Sequence, residues 1–471
     1  MSERIPAQII ETIDPRQPIR LTPSQAGGPI HTRSFTGRFR NLRLYGAGLL
    51  FLIFFGTAWL DWDGRQAVLW NLAEHRYYIF GATFWPQDFI LLSALLIIAA
   101  FGLFAITVVA GRVWCGYSCP QSVWTWVFMW AEKITEGERN QRIKLDAAPW
   151  TVGKLLRRTT KHVIWLAVSL LTALTFIGYF TPIRELSQEL FTLQLDGATL
   201  FWVLFFMAAT YINAGWLREK VCVHMCPYSR FQSAMFDQDT LLVAYDAKRG
   251  EGRGPRKKGS DYKAEGLGDC IDCQMCVQVC PTGIDIRDGL QIDCIGCAAC
   301  IDACDSIMDK MGYAKGLVGY HSDRELQGGT THLLRPRLVG YGVALTLMIG
   351  AFVWALEARS MVSIDAAKDR SMFRENALGQ IENTYRLKVI NKTQEPQRYH
   401  LALVDTPGMR LDAPAHLLLA PGEILDVPVT VVLTAEQAGA TATRVRFEIS
   451  NLADTRERMQ AQSTFIAPSG R

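Results

Sequence analysis

Five apolar runs stand out from an otherwise mixed chain, at residues 44–60, 89–110, 163–180, 198–217 and 338–356. Each is 17 to 22 residues long, and a helix needs about 17–25 residues to cross a bilayer. Buried helices of a soluble protein do not come five at a time at that length, so the pattern predicts five membrane-spanning helices. After Glu357 the period changes. Short alternating runs follow at 385–391, 399–404, 424–432, 443–450 and 462–466, separated by turn signals such as Pro407-Gly408 and Pro421-Gly422. They predict a small β-sandwich over 357–471.

The flanks of the spans assign sides. Residues 33–43 carry Arg33, Arg38, Arg40 and Arg43, and 111–161 carries nine Lys and Arg. By contrast, 61–87 holds only Arg65 and Arg76, and 181–197 only Arg184. Basic residues stay on the cytoplasmic side, which places the N-terminus there, the two poor loops outside, and the β-sandwich outside after five crossings. No cleavable signal is expected, because the first span starts late behind a basic flank. All twelve cysteines lie between Cys115 and Cys304, on the side where this topology keeps thiols reduced. A formal net charge of +4 is too small to argue for nucleic acid, while 49% hydrophobic residues make membrane lipid a partner.

An N-terminal cytoplasmic segment, 1–43, begins with a Pro-rich stretch over 1–32 that reads as a mobile tail. A membrane domain over 44–245 contains a repeat. Spans one and two run into Trp114-Cys115-Gly116-Tyr117-Ser118-Cys119-Pro120, spans three and four into Val221-Cys222-Val223-His224-Met225-Cys226-Pro227, and both cysteines recur at an offset of 107 residues. The aromatic segments 121–131 and 228–236 that follow suit the lipid–water boundary. Residues 246–268 are Gly-rich and basic and read as a flexible linker. Their charge suits anionic headgroups or, alternatively, an acidic electron carrier. A cysteine module over 269–310 and a connector over 311–337 lead to the fifth span.

The module carries the strongest chemistry. Cys270-x2-Cys273-x2-Cys276-x3-Cys280-Pro281 is followed by Cys294-x2-Cys297-x2-Cys300-x3-Cys304, the spacing of a bacterial-type 2[4Fe–4S] ferredoxin. Three close thiolates wrap one cubane and the distant fourth caps the other. Cys270, Cys273, Cys276 and Cys304 are therefore assigned to one cluster, and Cys280, Cys294, Cys297 and Cys300 to the second. A four-ligand zinc site would leave half of these thiols unused. Asp305 stands where the first run has Pro281.

The two C-x3-C-P motifs are less specific. Proline disfavours helix at Cys119 and Cys226 and favours a new helix from Pro120 and Pro227, whose positive end can lower a thiol pKa. Four such thiols, Cys115, Cys119, Cys222 and Cys226, could cycle between dithiol and disulfide or bind a soft ion. Thiolates prefer Cu(I), and His224 and Met225 could add ligands. No C-x-x-C-H, G-x-G-x-x-G or P-loop is present, and no histidine falls inside the apolar runs, which disfavours a membrane b-haem. Asp88, beside Pro86, reads as a helix start, with a quinone-binding role as the alternative.

In combination, Trp114–Pro120, Cys222–Phe236, the paired ferredoxin motifs over 270–304, the five spans and the β tail resemble the FixG/CcoG family, accessory proteins of cbb-class cytochrome oxidase assembly. The resemblance implies a mixed multi-domain membrane protein of the bacterial inner membrane: a five-helix bundle, a 2[4Fe–4S] module on the cytoplasmic side and a periplasmic immunoglobulin-like domain. It implies a cupric reductase, with Cys115, Cys119, Cys222 and Cys226 as the copper-reducing residues, copper as substrate or transient ligand, and the ferredoxin cysteines supplying electrons from an unidentified cytoplasmic low-potential donor. A copper transporter or chaperone and cytochrome oxidase subunits are the implied partners, and a homodimer is left open. Two other readings share these motifs: a quinol dehydrogenase subunit of the NapH/NosR type, and a non-enzymatic assembly scaffold.

Overall fold

The computed structural model describes residues 30–370, 373–434, 442–454 and 456–468, so the tail expected over 1–32 lies almost wholly outside it. Among the described residues, five helices have the length and apolarity to cross a membrane: Arg38–Trp59, Pro86–Ala110, Val152–Ile177, Gly197–Leu217 and Pro336–Glu357. Their apolar windows are mostly open, from 33% buried in the third to none in the fifth. Side chains such as Leu52, Ile90, Leu96 and Leu347 therefore face outward, which water would penalise and lipid does not. The third helix starts earlier than its apolar run, so His162 lies inside it, bonded to the Tyr211 hydroxyl at 2.9 Å. That corrects the expectation of spans free of histidine, although one such histidine does not make a bis-histidine pair.

The chain forms two compact units. One takes in Phe54–Ala99, Leu174–Asp196 and Ala344–Arg471. Its β-sandwich has one sheet in the order Met409–Asp412, Ile424–Thr434, Gln380–Asn391, Val362–Lys368, with Arg374–Glu375 beside Gln380–Asn391. The other runs His416–Leu419, Gln397–Val404, Ala442–Asn451, Arg458–Ile466, and every pair is antiparallel. The alternation that predicts these strands is the alternation that fills the core: Tyr385, Leu387, Val389, Tyr399, Val431 and Phe447 are fully enclosed between the sheets. Both tyrosines satisfy their hydroxyls there, Tyr385 donating to Thr464 O at 3.1 Å and Tyr399 to Asn391 Oδ1 at 3.1 Å.

The sequence pattern missed several pieces of this unit. Val362–Lys368, Met409–Asp412 and His416–Leu419 are strands, and 61–87, read as a plain loop, holds an antiparallel sheet of Val68–Asn71, Arg76–Ile79 and Ala82–Phe84. Asp88 is structural. It is buried, accepts from the Trp85 backbone at 3.0 Å and faces Lys392 at 3.5 Å and Arg359 at 3.8 Å.

The other unit takes in Met1–Ile53, Ala100–Ala173 and Gly197–Val343, and all twelve cysteines fall within it. Here 246–268 is not the flexible linker its composition suggests. Arg249 pairs with Asp269 at 2.5 Å and bonds Lys315 O at 2.9 Å, Arg256 bonds Gly268 O and the Tyr313 hydroxyl, and Tyr262 stacks near Tyr313. These basic side chains spend their donors on Asp269 at the edge of the cysteine module and on carbonyls just outside it, those of Gly268 and Lys315. A two-stranded sheet, Leu242–Tyr245 with Val318–His321, closes the module's ends.

Candidate electron-transfer site

The cysteine module is built from two copies of one loop, 24 residues apart. In each, the residues at matching positions take a left-handed backbone: Asp272 (φ 51°) and Gln274 (φ 55°) in the first, Gly296 (φ 66°) and Ala298 (φ 56°) in the second. Non-glycine residues pay about 1–2 kcal/mol for that conformation, a cost that persists only where the surroundings require it. It lets three thiols of each run turn toward one point. Cys270, Cys273, Cys276 and Cys304 line one cavity. Cys280, Cys294, Cys297 and Cys300 line a second, which Cys276 also reaches. Ile284, Ile286, Ile295, Met308 and Val318 complete the walls. Four thiols around each of two neighbouring apolar cavities is a donor set that fits two cubanes. Among the described residues no three His, Cys, Asp or Glu close on a point small enough for a single ion.

Burial pushes the Cys276, Cys294 and Cys304 thiols up to about 12, so loading iron onto them must release protons. Exposure differs between the sets. Cys273 is open to solvent, with Asp272 and Gln274 on either side, whereas Cys297 is buried.

The module is clamped to the membrane helices. Asp302, buried on its long helix Ala299–Met311, accepts from the Phe39 and Arg40 backbone at 3.1 and 2.7 Å and so caps the first span. Arg112 bonds three carbonyls at once: Ile292 and Cys294 of the module, the latter at 3.0 Å, and Ser229 beyond the second C-x3-C-P motif at 2.5 Å. Gly116, between Cys115 and Cys119, lies against the module's backbone. A Cβ there would stand 2.6 Å from Gly296 O and 2.8 Å from Cys297 Cα, so only glycine allows the approach.

Cys119 and Cys226 are extended (φ −61°, ψ 126° and φ −79°, ψ 111°) and immediately precede helices Pro120–Glu136 and Pro227–Met235. The first pair rides on a short α-helix, Val113–Tyr117, the second on a π-turn, Val221–Met225. The copies hold each other crosswise. Gln121, after the first motif, donates to Asn213 O and Arg218 O at 2.8 and 3.1 Å, ahead of the second. Gln232, after the second motif, accepts from Cys115 Sγ at 3.4 Å. Cys115 and Cys222 both pack on the apolar cluster that contains Cys297.

Thiol activation by the following helix is not what governs Cys115 and Cys222. Burial, reinforced by the neighbouring motif cysteines, pushes them up to about 11 and about 12, with Gln232 and Arg112 pulling Cys115 the other way. His224 and Met225 are exposed. Residues that sequence reasoning missed are Arg112, Gly116, Gln232 and Asp302. A polar stripe, Tyr228 and Gln232 one helical turn apart in a segment otherwise read as lipid-facing, was the available signal for one of them.

Comparison with known proteins agrees with this layout. Residues 217–323 match the family model described as a 4Fe-4S dicluster domain, and 352–468 match that of the IG-like fold at the C-terminus of FixG, a family provisionally described as an oxidoreductase. Protein RdxB of Cereibacter sphaeroides is 37% identical over 426 residues, covering 86% of this chain and 87% of its own. The nitrogen fixation protein FixG of Rhizobium meliloti is 38% identical over 411 residues, covering 79% and 78%. A crystal structure of a FixG-related protein from Vibrio parahaemolyticus aligns with 24% of this chain and 100% of its own, at 26% identity and a TM-score of 0.22. The chain is thus a membrane protein with a 4Fe–4S dicluster domain, a C-terminal Ig-like fold and an electron-transfer role.

Proposed function

The chain belongs to the FixG family, and from that premise we propose that it reduces Cu(II) to Cu(I) for the copper centre of a cbb-class cytochrome oxidase. Cys270, Cys273, Cys276 and Cys304 hold one [4Fe–4S] cluster and Cys280, Cys294, Cys297 and Cys300 the other; when bound, these clusters supply one-electron transfer from a cytoplasmic low-potential donor. Exposure of Cys273 suits the first set to receive electrons. Cys115, Cys119, Cys222 and Cys226 take up copper as substrate. One electron converts Cu(II) to Cu(I), and thiolates favour the reduced ion. The observation that carries this reading is the seating of Cys115 and Cys222 on the buried cluster that contains Cys297, with Gly116 against the Gly296 and Cys297 backbone.

The Lys/Arg bias supports a bacterial inner-membrane chain with its cysteines cytoplasmic and the Ig-like domain periplasmic, where that domain would meet oxidase subunits or a copper chaperone. The test uses full-length protein prepared anaerobically and a low-potential donor. Cu(II) reduction should be fast in the wild type and fall at least about a hundredfold when Cys115, Cys119, Cys222 and Cys226 are all replaced by Ser, with iron content unchanged. An unaltered rate would sink the thiol mechanism. Quinol oxidation surviving the same changes would favour a quinol dehydrogenase, and redox-silent clusters an assembly scaffold.

A further inference from the structure

The outer face of the β-sandwich sets two histidines side by side. His400, on Gln397–Val404, and His416, on the edge strand His416–Leu419, are directly opposed in the register. Leu401 N donates to Ala415 O at 3.0 Å, which makes 401 and 415 a hydrogen-bonded pair. Positions 400 and 416 are then the closer, non-hydrogen-bonded kind, with Cα atoms about 4.5 Å apart. Tyr399, Leu401 and Leu417 are buried, and alternation turns both histidines the other way. Their ring centroids are 5.4 Å apart. His31, His162 and His321 are taken up by Asp146, the Tyr211 hydroxyl and Glu325. Among the described residues, no hydrogen bond or ion pair engages either ring of the 400–416 pair.

Two imidazolium rings directly opposite each other repel, whereas two neutral rings each present a nitrogen lone pair. A metal–imidazole bond of about 2.0–2.1 Å puts a ring centroid roughly 3 Å from the ion. Rings 5.4 Å apart can therefore share one ion through side-chain rotation alone.

We infer that His400 and His416 form a binding site for a divalent first-row cation, with Cu(II) preferred. Among the described residues no third His, Cys, Asp or Glu joins them, so water completes the coordination. A structural zinc site uses four protein ligands, whereas Cu(II) accepts a tetragonal set of nitrogens and oxygens and stands highest in the divalent series. Arg398, two residues before His400, and Glu448, opposite Ala402 on the next strand, share this face, and their charges offset each other. The site stands whether or not the cysteine motifs reduce copper.

The test uses full-length protein in detergent, kept anaerobic, with Cys115, Cys119, Cys222 and Cys226 replaced by Ser so that the motif thiols take no copper. Added Cu(II) should give an electron paramagnetic resonance spectrum split by two imidazole nitrogens. Changing an outer partner of a metal ligand already lowers affinity about 10- to 100-fold, so removing a ligand in His400→Gln or His416→Gln should weaken Cu(II) binding at least about tenfold against a competing chelator. Both side chains lie off the core, and the thermal transition should stay in place. An unchanged spectrum and affinity in the chain carrying both substitutions would overturn the site. Zn(II) binding as tightly as Cu(II) would overturn the preference for copper. If the serine-substituted chain loses iron, wild type and its double His→Gln variant are compared at Cu(II) beyond what the thiols take. The two-nitrogen spectrum must then be present in the first and missing from the second, and its absence from wild type would overturn the site.

Discussion

The two C-x3-C-P motifs begin as copies and end as different tools. At the 107-residue offset the cysteines and prolines match, but Gly116 answers to Val223, Tyr117 to His224 and Arg112 to Glu219. Each difference falls on the same side. Gly116 touches the cysteine module, Tyr117 bonds the Tyr320 hydroxyl at 3.3 Å, and Arg112 bonds the carbonyls of Ile292 and Cys294. In the second copy, His224 is exposed and the motif winds as a π-turn. The first copy makes the backbone and hydrogen-bond contacts with the module, while the second, whose Cys222 packs on the same apolar cluster, winds as one of the π-turns that recur at functional sites. A repeat supplies four matched thiols; divergence around them decides how each pair is held.

That contrast is most exposed at Gly116. Gly116→Ala puts a methyl against the Gly296 and Cys297 backbone, which cannot rotate away as a side chain could. Overpacking of this kind costs about 1–3 kcal/mol, occasionally more, and we expect the upper end, seen as an earlier thermal transition and as slower electron delivery to copper. Val223→Ala should change neither by much. Equal effects at both positions would mean that the copies are used alike. Next in size is Arg112→Met. It leaves three carbonyls short of a charged donor, each such bond being worth about 1.5–3 kcal/mol, so destabilisation of about 2 kcal/mol is expected, against about none for Glu219→Gln. Urea unfolding of iron-replete protein in detergent measures both.

Much of this asymmetry could not be read from the chain. The spans, the eight module cysteines and the 107-residue offset are local patterns fixed by periodicity and spacing. The role of Arg112 is not, because an arginine two residues past a span reads as an ordinary cytoplasmic flank, and only the fold brings Ile292 and Ser229 to it. The same holds for 246–268, whose glycines and cations match a linker until Arg249 pairs with Asp269 and bonds Lys315 O and Arg256 bonds Gly268 O. In the sandwich, long strands such as Gln380–Asn391 announce themselves by alternation. Four-residue strands such as His416–Leu419 and Arg76–Ile79 are too short to show a period and exist because neighbours pair with them.

A smaller effect tests how the first copy grips the second. Glu132, on the helix after the first motif, is buried and pairs with Arg142 at 2.8 Å and with Arg218, just ahead of the second. Burial alone would raise its carboxyl, but Arg218, Arg142 and Lys161 together hold it below its usual value. A carboxyl depressed in the folded state stabilises at pH above its unfolded value, about 4.3, and that stability is lost as pH falls through the lower folded value. Glu132→Gln should therefore lower stability by about 1–2 kcal/mol at neutral pH and flatten the acid limb of a stability–pH curve. A variant curve parallel to the wild type would remove Glu132 from the grip.

The smallest expected effect lies at Tyr117, and it separates packing from hydrogen bonding in the first copy. Its hydroxyl meets that of Tyr320, which also donates to Gly296 O at 3.0 Å. Burial pushes the Tyr117 hydroxyl above its usual value, so it stays neutral and can act as donor or acceptor throughout the physiological range. Tyr117→Phe keeps the ring on the module and removes one neutral, rather long bond, worth about 0.5–1 kcal/mol. If the contact with the module is carried by Gly116 and Arg112, copper reduction in Tyr117→Phe should stay within about twofold of wild type, and His224→Ala should match it. A tenfold loss in Tyr117→Phe alone, at unchanged iron content, would move the electronic contact from the Gly116 backbone to the Tyr117–Tyr320–Gly296 chain, and the divergence of tyrosine from histidine would then matter more than that of glycine from valine.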